Sequence, residues 1–107
     1  MNNSQFHQLA DNLIFNIEEV INNISESIDI DYEIYGNVMT LIFENNSKII
    51  INRQESIHQI WLATITNGYH FNYCDNVWIC NRSKRSFNEI FNKAVKLQTK
   101  VIFDLIK

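Results

Sequence analysis

Carboxylates crowd the first third of this 107-residue chain. The six that could act together are Asp11, Glu18, Glu19, Asp29, Asp31 and Glu33. Three of them alternate with apolar residues, so in a β-strand they would project from one face about 6.6 Å apart. Oxygen ligands of this kind bind hard or borderline cations such as Fe²⁺, Fe³⁺, Mn²⁺ or Ca²⁺. Their spacing does not form a closed cage. The pattern therefore predicts open, weak, water-rich cation binding, or a solvated acidic face that only keeps the protein soluble.

Charge is distributed unevenly along the chain. Residues 1–47 contain eight acids and no Lys or Arg, whereas residues 48–107 contain all nine basic residues and four acids. The two parts carry charges of −8 and +5 within a total of −3. Such segregation favours a cationic ligand or a basic partner at the acidic end. The negative total argues against nucleic-acid binding, so the basic residues near the C-terminus are interpreted as a solvated helix face.

Histidines and cysteines are scattered. His7 precedes Asp11 by four residues, a helical spacing that could complete a metal site, whereas His58 and His70 are interpreted as hydrogen-bonded strand residues. If Asp75-Asn76 is a two-residue hairpin turn, Cys80 faces Phe71 rather than Cys74, which predicts free thiols in a reducing compartment. The sequence has no Ser-His-Asp arrangement, glycine-rich phosphate loop or HExxH. We therefore expect that the protein is not an enzyme.

One tryptophan lies in an unexpected phase of its strand. In QIWLA (59–63), Ile60 and Leu62 point towards the expected core and Trp61 points away from it. An aromatic side chain rimmed by amides is typical of a protein-docking patch, and the alternative is a tryptophan covered by a loop or by neighbouring side chains. The other residues in the exposed phase are Ile50, Asn52, Gln54 and Gln59.

Two segments have the apolar period of a helix. The first covers residues 4–24, and its stripe is Phe6, Leu9, Ala10, Leu13, Ile17, Val20, Ile21 and Ile24, with Phe15 at the margin. The second begins at a capping box of Ser86 and Glu89. Its stripe is Phe87, Ile90, Phe91, Ala94, Leu97, Val101 and Leu105.

Between these helices the period is two. Six short strands are predicted at 28–34, 38–43, 48–52, 58–65, 69–73 and 77–81. In the first strand, Ile28, Ile30, Tyr32 and Ile34 form the apolar phase. Turns are predicted at Gly36-Asn37, 44–47, Asn67-Gly68 and Asp75-Asn76.

This order of elements predicts an α+β fold. Each helix has one apolar face, so the economical packing is a two-layer sandwich with both helices on one face of a roughly six-stranded antiparallel sheet. The chain has no proline and no linker, which predicts a single domain over residues 1–107. The segment MNNSQFHQ has no basic residue and no apolar signal core, so we expect a cytoplasmic protein. Apolar runs are far shorter than the ~20 residues of a membrane helix.

Several segments together resemble the frataxin family, in particular its bacterial members. They are SQFHQLADNLIFNIEE, DIDYEI, FENNSKIIINRQ, WLAT, GYHF and WIC, and the block NRQ (52–54) followed by QIWLA is highly specific. The resemblance covers essentially the whole chain. It implies a frataxin-like α-β sandwich that binds iron, Fe²⁺ or Fe³⁺, weakly and reversibly. It also implies a part in iron–sulfur cluster assembly, as a regulator or an iron donor.

The resemblance also implies roles for particular residues. An acidic ridge on the first helix and first strand would bind iron and meet the basic surface of a cysteine desulfurase. The ridge residues are Asp11, Glu18, Glu19, Asp29, Asp31 and Glu33, of which Glu18 and Glu19 would also bind the partner. Asn52, Gln54 and Trp61 would help contact the complex of desulfurase and iron–sulfur scaffold protein. A monomer is expected, with iron-dependent oligomers left open, and a weak ferroxidase or iron-storage protein is the alternative.

The sequence departs from the family pattern at two places. Asn22, Asn23, Ser25 and Ser27 stand where close relatives often carry aspartates, so the ridge is thinner, which argues against a ferroxidase. Ser56 replaces a proline that is usual in the signature, which suggests a looser turn before the tryptophan strand.

Overall fold

The computed structural model describes residues 1–24, 29–100 and 105. The helices are α1 (Asn3–Ile24) and α2 (Phe87–Thr99). The strands are β1 (Ile30–Tyr35), β2 (Val38–Phe43), β3 (Lys48–Gln54), β4 (Gln59–Ala63), β5 (Gly68–Cys74) and β6 (Val77–Cys80), with a 3₁₀ turn at Glu55–Ile57. The predictions for Ser25, Ser27, Ile28 and Val101 lie outside the described residues.

The six strands form one antiparallel sheet in the order β1 to β6. Three of the predicted turns are confirmed, because Tyr35 pairs with Val38, Cys74 pairs with Val77, and residues 44–47 join β2 to β3. Asp75 and Asn76 have φ angles of 50° and 67°. This left-handed backbone at both positions matches the right-handed twist of the flanking strands, and Asp and Asn tolerate it better than most residues.

Both helices pack on the same side of the sheet. The buried strand residues fall in one phase and form a single core cluster with the buried stripes of α1 and α2. Aromatic residues supply much of this core. Phe71 lies edge-on to Phe87 at 5.1 Å between ring centroids, and Phe6 is fully buried. Burying one such side chain contributes roughly 1.5–3 kcal/mol. The predicted two-layer α+β sandwich is confirmed.

The second helix is shorter than predicted. It begins as expected, with the Ser86 hydroxyl accepting a hydrogen bond from the Glu89 amide. It ends at Thr99, because Lys100 adopts a left-handed backbone and its amide donates to the Lys96 carbonyl. Leu97, predicted to be in the apolar stripe, is 71% exposed, since the buried positions follow the helical period through Val95 instead.

The chain beyond α2 still contributes to the core. Leu105 is buried, as predicted, although it is not part of the helix. The Asn92 side chain holds its backbone through two hydrogen bonds. The Leu105 amide donates to Asn92 Oδ1 at 2.9 Å, and Asn92 Nδ2 donates to the Leu105 carbonyl at 3.2 Å.

Two strand predictions are wrong in detail. Gly68 is the first residue of β5 and pairs with Ala63, so the connection is the four-residue loop 64–67 rather than an Asn67-Gly68 turn. The loop closes on itself, because the Thr64 amide donates to the Asn67 carbonyl. Ile34 lies in the inward phase but is 47% exposed, since β1 is an edge strand with a neighbour on one side only.

Within the described ranges, neither helix combines the length and the apolar character that crossing a membrane requires.

Candidate functional site

The predicted acidic residues are arranged around the edge strand β1. Asp31 and Glu33 alternate with Ile30 and Tyr32, so they project from the sheet face opposite the helices. Asp31, Glu33, Asp29 and Glu19 are exposed. The carboxylates therefore lie on two sides of the edge strand, those of α1 on the helical side and those of β1 on the open side.

Glu18 is connected to the sheet. The Tyr32 hydroxyl donates a hydrogen bond to Glu18 Oε2 at 2.9 Å, which joins the second half of α1 to the edge strand. This hydrogen bond, together with burial and the negative charge of Glu18, raises the pKa of Tyr32 above its usual value. A sheet side chain therefore orients the Glu18 carboxylate.

Asp11 is neutralised by an arginine from the sheet. Arg53 Nη2 lies 2.7 Å from Asp11 Oδ1, and the Arg53 side chain is only 16% exposed. Arg53 Nη1 also lies 3.4 Å from His7 Nδ1, while His7 Nε2 lies 3.0 Å from Glu55 Oε2. Arg53 thus contacts both His7 and Asp11, the two residues whose helical spacing could complete a metal site. These contacts tie the start of α1 to the end of β3 and the 3₁₀ turn.

The carboxylate oxygens present suit a hard cation, but they do not converge. In the part of the chain that the structure describes, no group of three or more His, Cys, Asp or Glu side chains could hold a metal ion. The roles of the six predicted ridge residues remain predictions.

Trp61 lies on the open face of the sheet. Asn52 is directly opposite it on β3 and His70 is directly opposite it on β5. The Trp61 and His70 rings stack with 4.0 Å between centroids and 7° between planes. Trp61 Nε1 donates to Gln59 Oε1 at 2.8 Å, which fixes the orientation of the indole. The indole is thus half-buried and held in one orientation.

Amide side chains surround the Trp61 indole, as the exposed phase of the strands predicted. Gln54 pairs with Gln59 across β3 and β4, and Gln59 Nε2 donates to Asn72 Oδ1 at 3.3 Å. The structure therefore brings Asn52, Gln54 and Trp61 together on one face. We call this set, with Gln59 and His70, the tryptophan platform.

The sequence pattern assigns no role to Arg53 or to the Tyr32 hydroxyl, and it describes His70 only as a hydrogen-bonded strand residue. Arg53 and Tyr32 are in the inward phase of their strands. A pattern that assigns polar groups to the solvent-exposed face does not predict their polar contacts. The contact between His70 and Trp61 is missed because the turn before β5 is predicted at the wrong residues. A two-residue turn at Asn67-Gly68 would pair Trp61 with Cys74, four residues away from its observed partner.

The thiols are free, as predicted, and they occupy different environments. Cys74 is exposed, whereas Cys80 is buried and pairs with Phe71. Burial alone would raise the pKa of the Cys80 thiol. Hydrogen bonds from the Ser83 hydroxyl and from the amides of Ser83 and Arg82, with the Arg82 charge, outweigh burial and lower this pKa.

Comparison with known proteins gives a consistent result. A family model described as a frataxin-like domain matches residues 1–101. Frataxin from Psychromonas ingrahamii, described within the CyaY protein family, is 45% identical, with a TM-score of 0.90 and 100% of both chains covered. Yeast frataxin is 26% identical, with a TM-score of 0.70 over 87% of this chain and 79% of that one.

A third similar structure includes the metal. It is trimeric frataxin from the yeast Saccharomyces cerevisiae complexed with ferrous iron. It is 25% identical to this chain, with a TM-score of 0.69, and the match covers 90% of this chain and 86% of the yeast chain.

Proposed function

Because this chain belongs to the frataxin-like family, we propose that it is an iron-binding accessory protein of iron–sulfur cluster assembly. In this proposal it docks on a complex of cysteine desulfurase and scaffold protein in the bacterial cytoplasm. There it regulates assembly, supplies iron, or does both. It acts as a binding protein and not as an enzyme.

One observation supports this proposal above the others. A single face of the sheet carries both an acidic edge, formed by Asp31 and Glu33 on β1, and an aromatic anchor, Trp61 on β4. Glu33 and Trp61 project from the same open side of the sheet, in neighbouring cross-strand rows. Tryptophan anchors dominate the binding energy of many interfaces, and acidic groups at the rim steer a basic partner. A folded partner with a basic patch beside an apolar pocket would engage both features at once.

Iron is the cargo in this proposal and not a resident cofactor. The exposed carboxylates at β1 supply oxygen ligands, and the lack of a three-ligand group among the described side chains favours an ion that keeps most of its water. Such binding would be weak and reversible, which suits transfer to an acceptor. The yeast relative in complex with ferrous iron supports iron as the metal.

The decisive experiment is a reconstituted cluster-assembly rate with and without this protein, at fixed desulfurase, scaffold, cysteine and Fe²⁺. We expect the initial rate to change, upwards for an activator or iron donor and downwards for an inhibitor. A matched binding assay at low and high salt should show weaker association at high salt, because charge steering is screened. No association at low salt would rule out the docking proposal.

Three variants sharpen the binding assay. Trp61→Ala removes the anchor, and Asp31→Asn removes one charge from the acidic edge. Asp75→Asn removes the same charge from the β5–β6 turn, where Asn also tolerates the positive φ. The first two variants should weaken docking, while the third should leave it close to wild type.

The alternative is a weak ferroxidase, which would need carboxylate ligands held at fixed distances. Anaerobic loading with Fe²⁺ followed by exposure to oxygen separates the two functions. A carrier leaves the oxidation rate at its protein-free value, and a ferroxidase raises it in proportion to protein concentration.

The proposed state is a monomer that associates only when iron is bound. The trimeric yeast relative complexed with ferrous iron supports the association itself. Light scattering on the eluted protein, with and without anaerobic Fe²⁺, measures the mass directly.

A further inference from the structure

A second polar feature lies at the β5–β6 edge of the sheet, opposite the acidic edge at β1. A cleft of about 440 Å³ lies where the loop 64–67 meets the segment that follows β6. Asn67, His70, Asn81 and Arg82 line it, and the buried Cys80 contributes to its wall. His70 belongs both to this cleft and to the stack with Trp61. The cleft therefore shares His70 with the tryptophan platform.

Arg82 is the cation of this cleft. Arg85, three residues later, pairs with Glu89 at 2.6 Å, whereas no described carboxylate lies within ion-pair distance of Arg82. The Ser83 hydroxyl accepts a hydrogen bond from the Arg85 amide. The side-chain donors that the lining offers to a ligand include the Arg82 guanidinium and the amides of Asn67 and Asn81.

We propose that this cleft receives a carboxylate side chain of the protein that docks on the open face. The inference rests on the proposed docking function and specifies the partner's chemistry. A guanidinium binds a carboxylate through two parallel hydrogen bonds, and neighbouring amides fill the remaining acceptor sites. The amide side chains alone would suit many ligands, but the positive charge selects an acidic one.

The face then has two ends of opposite charge. Asp31 and Glu33 lie at β1, Arg82 follows β6, and five strand spacings separate the two edges by roughly 24 Å. A partner must present a basic patch at one end, an apolar pocket for Trp61 in the middle, and an acid at the other end. A partner rotated by half a turn would place like charges together, which costs several kcal/mol in typical interfaces. The charge pattern therefore determines the docking orientation.

The occupant belongs to a protein, because the cleft adjoins the tryptophan platform at His70. A free anion would use Arg82 in the same way but would gain nothing from Trp61. The binding experiment distinguishes these two sources of the same chemistry.

The experiment compares Arg82→Gln with Lys84→Gln, two neutralisations in the same segment. Lys84 is exposed and is not among the residues that line the cleft. The dissociation constant is measured against the reconstituted desulfurase–scaffold complex, after urea unfolding has shown that both variants are folded. We expect Arg82→Gln to weaken binding about tenfold and Lys84→Gln less than about twofold, since a desolvated charge pair contributes more than long-range steering.

Equal effects of the two variants would overturn the inference, because long-range charge would then explain both. An unchanged constant for Arg82→Gln would overturn it as well. Millimolar acetate or phosphate tests whether the cleft binds a free anion instead. If either anion raises the melting temperature of the free wild type, but not of Arg82→Gln, the cleft is a small-anion site and not a docking contact. If the wild type fails to bind the complex at all, the proposed function fails, and this inference fails with it.

Discussion

Arg53 Nη2 lies 2.7 Å from Asp11 Oδ1, so a side chain from the inward phase of β3 neutralises a carboxylate on α1. The same guanidinium lies 3.4 Å from His7 Nδ1. Asp11 and Asp31 were grouped by sequence as equivalent ridge ligands, but only Asp31 is exposed without a described basic partner. Removing one carboxylate or the other is therefore expected to affect stability and iron binding differently.

Asp11→Asn should lower the free energy of unfolding by about 1 kcal/mol. Asp11 is 67% exposed, which keeps the contribution of the ion pair near that of surface pairs, although Arg53 is largely buried. Asp31→Asn should change stability by less than about 0.5 kcal/mol and weaken Fe²⁺ binding. Urea unfolding and anaerobic Fe²⁺ titration measure the two effects. Equal loss of iron binding in both variants would contradict this division.

Tyr32→Phe should lower the free energy of unfolding by about 1 kcal/mol at neutral pH, because the hydrogen bond to Glu18 is lost. A buried hydrogen bond to a charged group contributes more, and the value is reduced here for partial exposure. The pKa of Tyr32 is raised in the folded state, so the folded protein holds this proton more tightly than the unfolded chain does. The stabilisation is complete below the ordinary tyrosine pKa of about 10 and is lost as pH rises through the folded value. The variant should lose less stability over that alkaline range. Tyr35→Phe, at a 76% exposed position, is the matched control.

His70→Ala should destabilise the fold by about 1 kcal/mol, since the parallel stack with Trp61 is lost. It should also red-shift the emission of Trp61, obtained by subtracting the spectrum of the Trp61→Phe protein. Docking on the desulfurase–scaffold complex should weaken because the indole loses its support. Val77→Ala changes another outward residue, 41% exposed, and should leave the emission unchanged. An unaltered spectrum in His70→Ala would show that the stack does not persist in solution.

One thiol per native chain should react rapidly with an aromatic disulfide reagent. Cys74 is exposed and Cys80 is 3% exposed, so access decides the rate even though the pKa of Cys80 is lowered. Cys74→Ser should abolish the fast phase and Cys80→Ser should preserve it. Two fast thiols in the wild type would mean that the segment after β6 opens readily.

Ser56→Pro should raise the free energy of unfolding by about 0.5 kcal/mol. Ser56 is exposed in the 3₁₀ turn, whose hydrogen bond runs from the His58 amide to the Glu55 carbonyl at 3.1 Å and does not use the Ser56 amide. Proline there reduces the conformational freedom of the unfolded chain. Urea unfolding beside Ser56→Ala separates this effect from loss of the hydroxyl. A lower stability would indicate that the backbone of Glu55 does not tolerate a following proline.

Much of the architecture was predictable because it depends on local periodicity. The helical stripe of α1 and the alternating strands identified both layers, and the hairpin at Asp75-Asn76 followed from residues that tolerate positive φ. The end of α2 was not predictable in this way. Leu97 and Leu105 share the apolar character of the stripe, but the left-handed Lys100 ends the helix between them.

By itself, the sequence determined that Trp61 points away from the core and that acids and bases are segregated along the chain. Both properties follow from residue types at short spacing. Only the tertiary structure decided which residues meet across strands and layers. The four-residue loop 64–67 sets the register that places His70 against Trp61, and the packing of α1 on the sheet places Arg53 against Asp11. A change in loop length moves every cross-strand partner, while the sequence period stays the same.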